Sequence, residues 1–246
     1  MKISYWYGRR HYPPNIHNEA EYEVLLDGIG KGYTGHIANE FEKTGIKSLE
    51  EGCTVDSTAD RDLACWHEIK KHFLRKGDTI LDVGTNMGTM CFRMKHEGYE
   101  PTGIEQSADI VNYTNSIIKP QLSRENWQAI EFISARESEI LNLFGEKSFD
   151  VIFTKHVLEH VPNVVETLQM WRKVARKGIC GIVPIEDKEE CWLPGRHTYR
   201  FSEKVLRKLL EEQGYKNIGI CSYVGDSIVD GKFYRESKSA GYWANL

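Results

Sequence analysis

The chain has 246 residues, enough for one large α/β domain with an extension or for two small domains, and its 40% apolar and 28% charged residues exclude a disordered protein. A formal net charge of −4 removes any global attraction for phosphate backbones, so no nucleic-acid partner is expected. No apolar run reaches about 18 residues and the first residues lack a signal-peptide core, so no membrane span is expected. Six cysteines without a C-x-x-C pair, in a chain too large to need staples, fit reduced thiols and a cytoplasmic setting.

The first 57 residues are polar and aromatic, and they read as an N-terminal extension before a domain spanning 58–246. NEAEYEVLLDG has a helical pattern. YWYGRRHYPP mixes aromatics with Arg9, Arg10 and His11, and the roles open to it are a lid, a packing arm, a homodimer contact or a base-stacking arm. GIGKGYTGH fails the P-loop pattern and reads as a loop. In TADRDLACWHEIKKHFLRKG a Thr/Asp start and a Lys-Gly stop bracket a helix whose apolar face holds Leu63, Trp66, Ile69 and Phe73.

Beyond residue 77 strands and helices alternate. TILDVG, EPTGIE, AIEFIS, FDVIFT and GICGIVP read as strands. The segments MGTMCFRMKHEG, SADIVNYTNSII, RESEILNLF, NVVETLQMWRKVARKG and SEKVLRKLLEEQG read as helices, the fourth opened by an Asn163/Glu166 capping pair. The tail KNIGICSYVGDSIVDGKFYRES carries a β pattern with turn signals at Gly225-Asp226 and Asp230-Gly231. Together these predict a doubly wound, mostly parallel seven-stranded sheet with helices on both faces and an antiparallel C-terminal strand pair. Such a sheet binds ligands beyond the carboxyl ends of its strands.

The first of those ends is LDVGTNMGTM, with Asp82 closing the strand and glycines at 84 and 88. Glu105 ends the second strand, twenty-one residues past Gly84, where an acid can accept both hydroxyls of a ribose. The pair implies an adenosine cofactor. A dinucleotide fingerprint needs a glycine where Asn86 stands, so an NAD-dependent oxidoreductase fits less well than a ligand bearing an amino group and a carboxylate.

These segments, with GIEQS, SFDVIFTKHVLEHVPN and HTYRFSEKVLRKLLEEQGY in the same order, resemble the class I S-adenosylmethionine-dependent methyltransferases of the small-molecule type, over about residues 60 to 223. The resemblance implies a Rossmann-like methyltransferase fold and S-adenosylmethionine as cofactor. By it, Asp82, Gly84, Thr85, Asn86 and Gly88 hold the methionine part, and Glu105 with Gln106 the ribose. Ala135 and Arg136 lie along the adenine, while Thr154, Lys155 and His156 line the site beneath the sulfonium. This chain departs from the family pattern at Asn86, commonly glycine, and at SAR, where an aspartate usually meets the adenine amino group. The expected reaction is methyl transfer to an oxygen or nitrogen of a small acceptor. A non-catalytic cofactor-binding regulatory or assembly protein is the alternative.

HVLEH also matches the H-x-x-E-H of a zinc peptidase, in which two histidines one helical turn apart share a metal. Pro162 disfavours helical geometry just after the second histidine, and the sequence offers no third ligand, so no metal is expected. His156 at the strand end is a candidate base or a site-lining group, whereas His160 and Glu159 fall in the turn before the next helix. A second candidate lies in CWLPGRHTYRF: His197 as base or acceptor contact, with Arg196 and Arg200 able to hold an acidic group.

Overall fold

A computed structural model describes residues 59–121, 125–186, 197–229 and 232–246. The expectations for NEAEYEVLLDG, GIGKGYTGH, YWYGRRHYPP, the 1–57 extension, Arg196 and the Asp230-Gly231 turn lie outside the described residues.

Five strands, β1 (Thr79–Val83), β2 (Glu100–Glu105), β3 (Glu131–Ser134), β4 (Phe149–Lys155) and β5 (Ala175–Ile185), form the parallel part of one sheet, with burial nearly continuous along β1, β4 and β5. Its order is β3-β2-β1-β4-β5-β7-β6, where β6 (Lys216–Val229) and β7 (Lys232–Asn245) are the antiparallel pair. From β1 the chain winds outward through β2 and β3, then returns to build β4 and β5 on the other side. The switch point therefore falls between β1 and β4, whose ends carry Asp82 and Thr154.

The last pair differs in detail from the sequence pattern. It is β7 that pairs with β5, which leaves β6 at the edge, and Gly225-Asp226 is no turn. Strand β6 continues through it with a register shift between Gly225 and Ser227, as a bulge absorbs residues that would otherwise break the ladder. Gly181 of β5 has a packing reason: a Cβ there would come within 2.7 Å of both the Thr154 and Tyr242 hydroxyl oxygens, which are hydrogen-bonded to each other at 3.1 Å.

Helices cover both faces. Alternate strand residues Leu81, Val83, Ile152, Ile179 and Val183 pack with Leu168 and Trp171 of one helix (Val164–Val174) and Leu206, Leu209 and Leu210 of another (Glu203–Glu212). Their neighbours Ile80, Val151, Phe153 and Ile182 face the other way, onto Trp66 and Ile69 of α1 (Ala59–His72) and Met90 and Met94 of α2 (Thr89–His96). Trp66 meets Phe153 edge-on at 5.4 Å, which seats α1 directly under the end of β4. Of the apolar face expected on α1, Trp66 and Ile69 are fully buried, while Leu63 and Phe73 are partly exposed.

The remaining helices are α3 (Ala108–Tyr113), α4 (Glu125–Gln128) and α5 (Ile140–Phe144); the two long ones of the first face are α6 (Val164–Val174) and α7 (Glu203–Glu212). SADIVNYTNSII is not one α-helix. After α3, Thr114–Ile118 form a wider π turn, which ends with Ile118 buried beside Trp127 and Ile130 and Ile117 exposed. Pro120 follows and cannot donate to a continuing helix. The side chains of Asn163 and Ser202 cap α6 and α7, accepting from Glu166 N and Val205 N.

Candidate active site

Asp82 is buried at the end of β1, and its Oδ2 accepts from the Thr85 hydroxyl at 2.7 Å and the Cys91 thiol at 3.4 Å. Burial pushes its pKa up to about 6, against the lowering effect of those donors and of Lys155. The loop beyond it turns on left-handed residues: Gly84 at φ 70°, Asn86 at φ 54° and Gly88 at φ 80°. A Cβ on Gly84 would lie 2.4 Å from Val157 Cγ2, and one on Gly88 would lie 2.3 Å from Phe132 Cζ, so glycine is favoured at both by contact as well as by φ. Asparagine tolerates the left-handed region better than most residues, which accounts for Asn86 in place of glycine.

The same loop fixes the second acid. The Asn86 N–H donates to Glu105 Oε2 at 3.1 Å, and the Ser107 N–H donates to Oε1 at 3.2 Å. Glu105 is held at the tip of β2 by one backbone donor from each flanking loop, and burial raises its pKa. Gln106 beside it is exposed. Beyond β3, the Ala135 N–H donates to Glu105 O at 3.0 Å and the Arg136 N–H to Glu139 Oε2 at 2.8 Å. Both N–H groups of that segment are thus committed within the chain.

At the end of β4 the backbone kinks: His156 takes φ 55°, a conformation that costs a non-glycine residue about 1–3 kcal/mol and collects at functional sites. Its Nε2 lies 3.0 Å from Asp62 Oδ2 and its Nδ1 3.4 Å from Glu159 Oε1. Burial alone would lower the imidazole pKa, but the Asp62 charge and hydrogen bond, with Glu159 behind them, raise it to about 10. Burial works against the Asp62 carboxylate too, yet His156, Lys155 and Arg61 hold it well below the usual range. Lys155 Nζ is 3.7 Å from Asp62 and Arg61 Nε 3.6 Å. Thr154 is fully buried, its hydroxyl spent on Tyr242.

Residues 158–160 form a turn closed by the His160 N–H on Val157 O at 2.8 Å, not a helix through both histidines. The second candidate segment docks there. The Thr198 and Tyr199 N–H groups donate to Glu159 O at 2.7 and 3.0 Å, and the His160 and His197 rings lie 5.0 Å apart. Glu186, just past β5, accepts from the His197 Nδ1–H at 2.8 Å. One ligand atom from each of Glu159, His160 and His197 falls within 4.8 Å of the others, so HVLEH does gain a third partner, from a segment about forty residues away. Asp62 and Glu186 were not identified as site residues from sequence. Asp62 reads there only as part of a helix start, and the sole signal for Glu186 is an acid directly following an apolar strand.

Residues 55–220 match the methyltransferase domain family. The chain belongs to that family. A ubiquinone biosynthesis O-methyltransferase of Rickettsia bellii (strain OSU 85-389) is 27% identical over 130 residues, 52% of this chain and 51% of that protein; the chain spans about half the length of the curated relatives it matches. A SAM dependent methyltransferase from Aquifex aeolicus shares the fold, at TM-score 0.53 and 21% identity over 74% of this chain and 89% of that one. So does magnesium protoporphyrin IX methyltransferase from Synechocystis PCC 6803, solved with bound SAM, at TM-score 0.52 and 16% identity over 75% and 77%. The sheet of this methyltransferase domain is the expected Rossmann-like one. S-adenosylmethionine is the cofactor that the family implies, and the donor set fits it: a tight glycine loop, crowded at 84 and 88 by Val157 and Phe132, followed by a carboxylate oriented by two backbone donors. Among the described residues, no helix of the methyltransferase domain is long and apolar enough to cross a membrane.

Proposed function

We propose that the protein transfers the methyl group of S-adenosylmethionine to an oxygen or nitrogen of a small-molecule acceptor. The observation that carries this reading is Glu105, whose carboxylate is braced at the tip of β2, beside the switch point, by the Asn86 and Ser107 N–H groups. In this reading Glu105 with Gln106 takes the ribose hydroxyls, and the loop of Asp82, Gly84, Thr85, Asn86 and Gly88 takes the amino-acid end. Ala135 and Arg136 flank the adenine; with their N–H groups committed, the polar contact to the base falls to a carbonyl or a side chain. Lys155 and His156 form the floor, and Thr154 braces it from inside the sheet.

When bound, the sulfonium supplies an electrophilic methyl group. The chain's own residues then supply alignment, worth up to about 7–11 kcal/mol in favourable cases, and a base, which adds roughly 10²- to 10⁴-fold. Both ring nitrogens of His156 face carboxylates, which favours a positioning role for it. His197 suits the base better, since its Nδ1 is spent on Glu186 and its Nε2 is left for an acceptor proton. The name of the curated relatives, an O-methyltransferase, supports oxygen over nitrogen.

Calorimetry with S-adenosylhomocysteine tests the cofactor, and methyl-labelled S-adenosylmethionine with fractionated metabolite pools tests the acceptor. One-to-one binding and label in a small molecule are expected. Absence of binding, or binding of NADH instead, refutes the reading; cofactor binding with label transfer to no pool would favour the non-catalytic alternative.

A further inference from the structure

We propose that Glu159, His160 and His197 bind one divalent transition-metal cation through a carboxylate and two imidazoles. The site differs from the zinc-peptidase arrangement that HVLEH suggests in sequence. There His156 and His160 would be ligands, but His156 is turned onto Asp62, and its place is taken by His197 from beyond β5.

Four observations converge. The Glu159 side chain is only 1% exposed, and among the described residues neither of its carboxylate oxygens has a hydrogen-bond partner. A buried carboxylate with open lone pairs is costly unless a cation or donor meets it. His156 Nδ1, at 3.4 Å from one of those oxygens, provides charge without a well-directed hydrogen bond. Second, the ligand atoms of all three residues lie within 4.8 Å of one another, a spacing that one central ion can span with small rotamer changes. Third, the two segments are pinned: the Thr198 and Tyr199 N–H groups both hold Glu159 O, so the ligands meet without a loop having to close.

The fourth observation concerns the imidazole itself. Glu186 beside His197 Nδ1 at 2.8 Å is the carboxylate that metal-binding histidines commonly carry on their other nitrogen: it fixes the tautomer with the proton on Nδ1 and leaves Nε2 as the ligand. Exposure rises across the set, from the buried Glu159 to His197 at 11% and His160 at 36%. Two imidazoles and one carboxylate suit zinc, manganese or iron better than calcium or magnesium, which prefer oxygen alone.

The cation site stands without the methyl-transfer reading. Its use does rest on that reading: the Nε2 lone pair assigned above to an acceptor proton would instead hold a cation, and an acceptor oxygen would occupy an open position and lose its proton to solvent more readily there.

The test is calorimetry of the EDTA-stripped, dialysed full chain with zinc chloride and, separately, manganese chloride, alongside cobalt chloride followed by visible absorption. One equivalent should bind, and cobalt should give d–d bands. His160→Ala, at the solvent side, His197→Ala and Glu159→Gln should each weaken binding at least about tenfold, and Glu186→Gln by about 10- to 100-fold. His67→Ala, exposed on α1, should bind as wild type. Thermal melting checks that each variant folds; should Glu159→Gln not fold, the surface variant His160→Ala decides. No stoichiometric binding by the wild type, or His160→Ala and His197→Ala binding as tightly as it does, overturns the proposal. S-adenosylhomocysteine binding, measured on the stripped wild type, is scored separately: if it survives while no cation binds, only the cation site fails, and the reverse result sinks the cofactor assignment instead.

Discussion

A methyl group of Val157 sits 2.4 Å from where a Gly84 side chain would begin, so the loop after β1 and the loop after β4 meet through a bare glycine. The part of the rim assigned to the cofactor and the part assigned to chemistry are thereby one packed unit. Gly84→Ala should lower S-adenosylhomocysteine affinity at least tenfold in calorimetry, from the clash together with a left-handed φ that costs alanine about 1 kcal/mol. Adding Val157→Ala should restore part of the loss, leaving the backbone cost. No recovery in the double variant would show that the contact is not what the glycine protects.

Removing the Glu105 charge tests the ribose assignment. Glu105→Gln keeps the shape but weakens hydrogen bonds to a charged group, worth about 1.5–3 kcal/mol, so affinity for S-adenosylhomocysteine should fall roughly 10- to 100-fold. Methionine, which lacks the sugar, should bind the variant and the wild type alike.

Asp82 predicts a pH effect with a definite sign. Its folded pKa of about 6 stands above the ordinary 3.8, so the folded chain is the better proton binder between those values. The stability this contributes is complete below pH 3.8 and is lost as pH rises through 6. Asp82→Asn lacks that loss. Between pH 5 and 7.5 the variant should therefore gain on wild type by about 1.4 kcal/mol, one unit's worth, or about 3–6 °C in melting temperature. Melting curves at the two pH values check it, and a gap that shrinks with rising pH would contradict it.

Breaking the buried contact between Asp62 and His156 should be expensive. Asp62 is 4% exposed, and truncating one partner of a buried pair, at about 3–5 kcal/mol when the other charge is left alone, here leaves His156 with only the more distant Glu159. Because His156 is partly exposed, Asp62→Ala should fall near the lower end, about 3 kcal/mol, in urea unfolding. Asp62→Asn, which can still bond the ring, should lose less.

The central strands of the parallel sheet could be read in the sequence because β1, β4 and β5 are built around apolar runs buried on both faces. Glu105 could be read because its place depends only on spacing within one βαβ unit. What could not be read depends on contacts between distant segments. Nothing in TADRDLACW says that Asp62 meets His156, ninety-four residues on, and nothing in CWLPGRHTYRF says that His197 comes to rest beside His160. Periodicity likewise marks KNIGICSYVGDSIVDGKFYRES as strand, yet the residues that pair with β5 are Lys238–Asn245, beyond that segment. There Tyr242 reaches Thr154 over Gly181, a contact between segments that periodicity does not carry.

Helix α1 lies on the opposite face of the sheet from α6 and α7, yet it contributes the counter-ion that holds the β4 terminus in its kinked form. Seating the helix and completing the rim are consequently a single thermodynamic event. Occupancy of the rim should slow amide exchange along α1, and whatever loosens that helix should weaken every ligand the rim accepts, by the same coupling free energy.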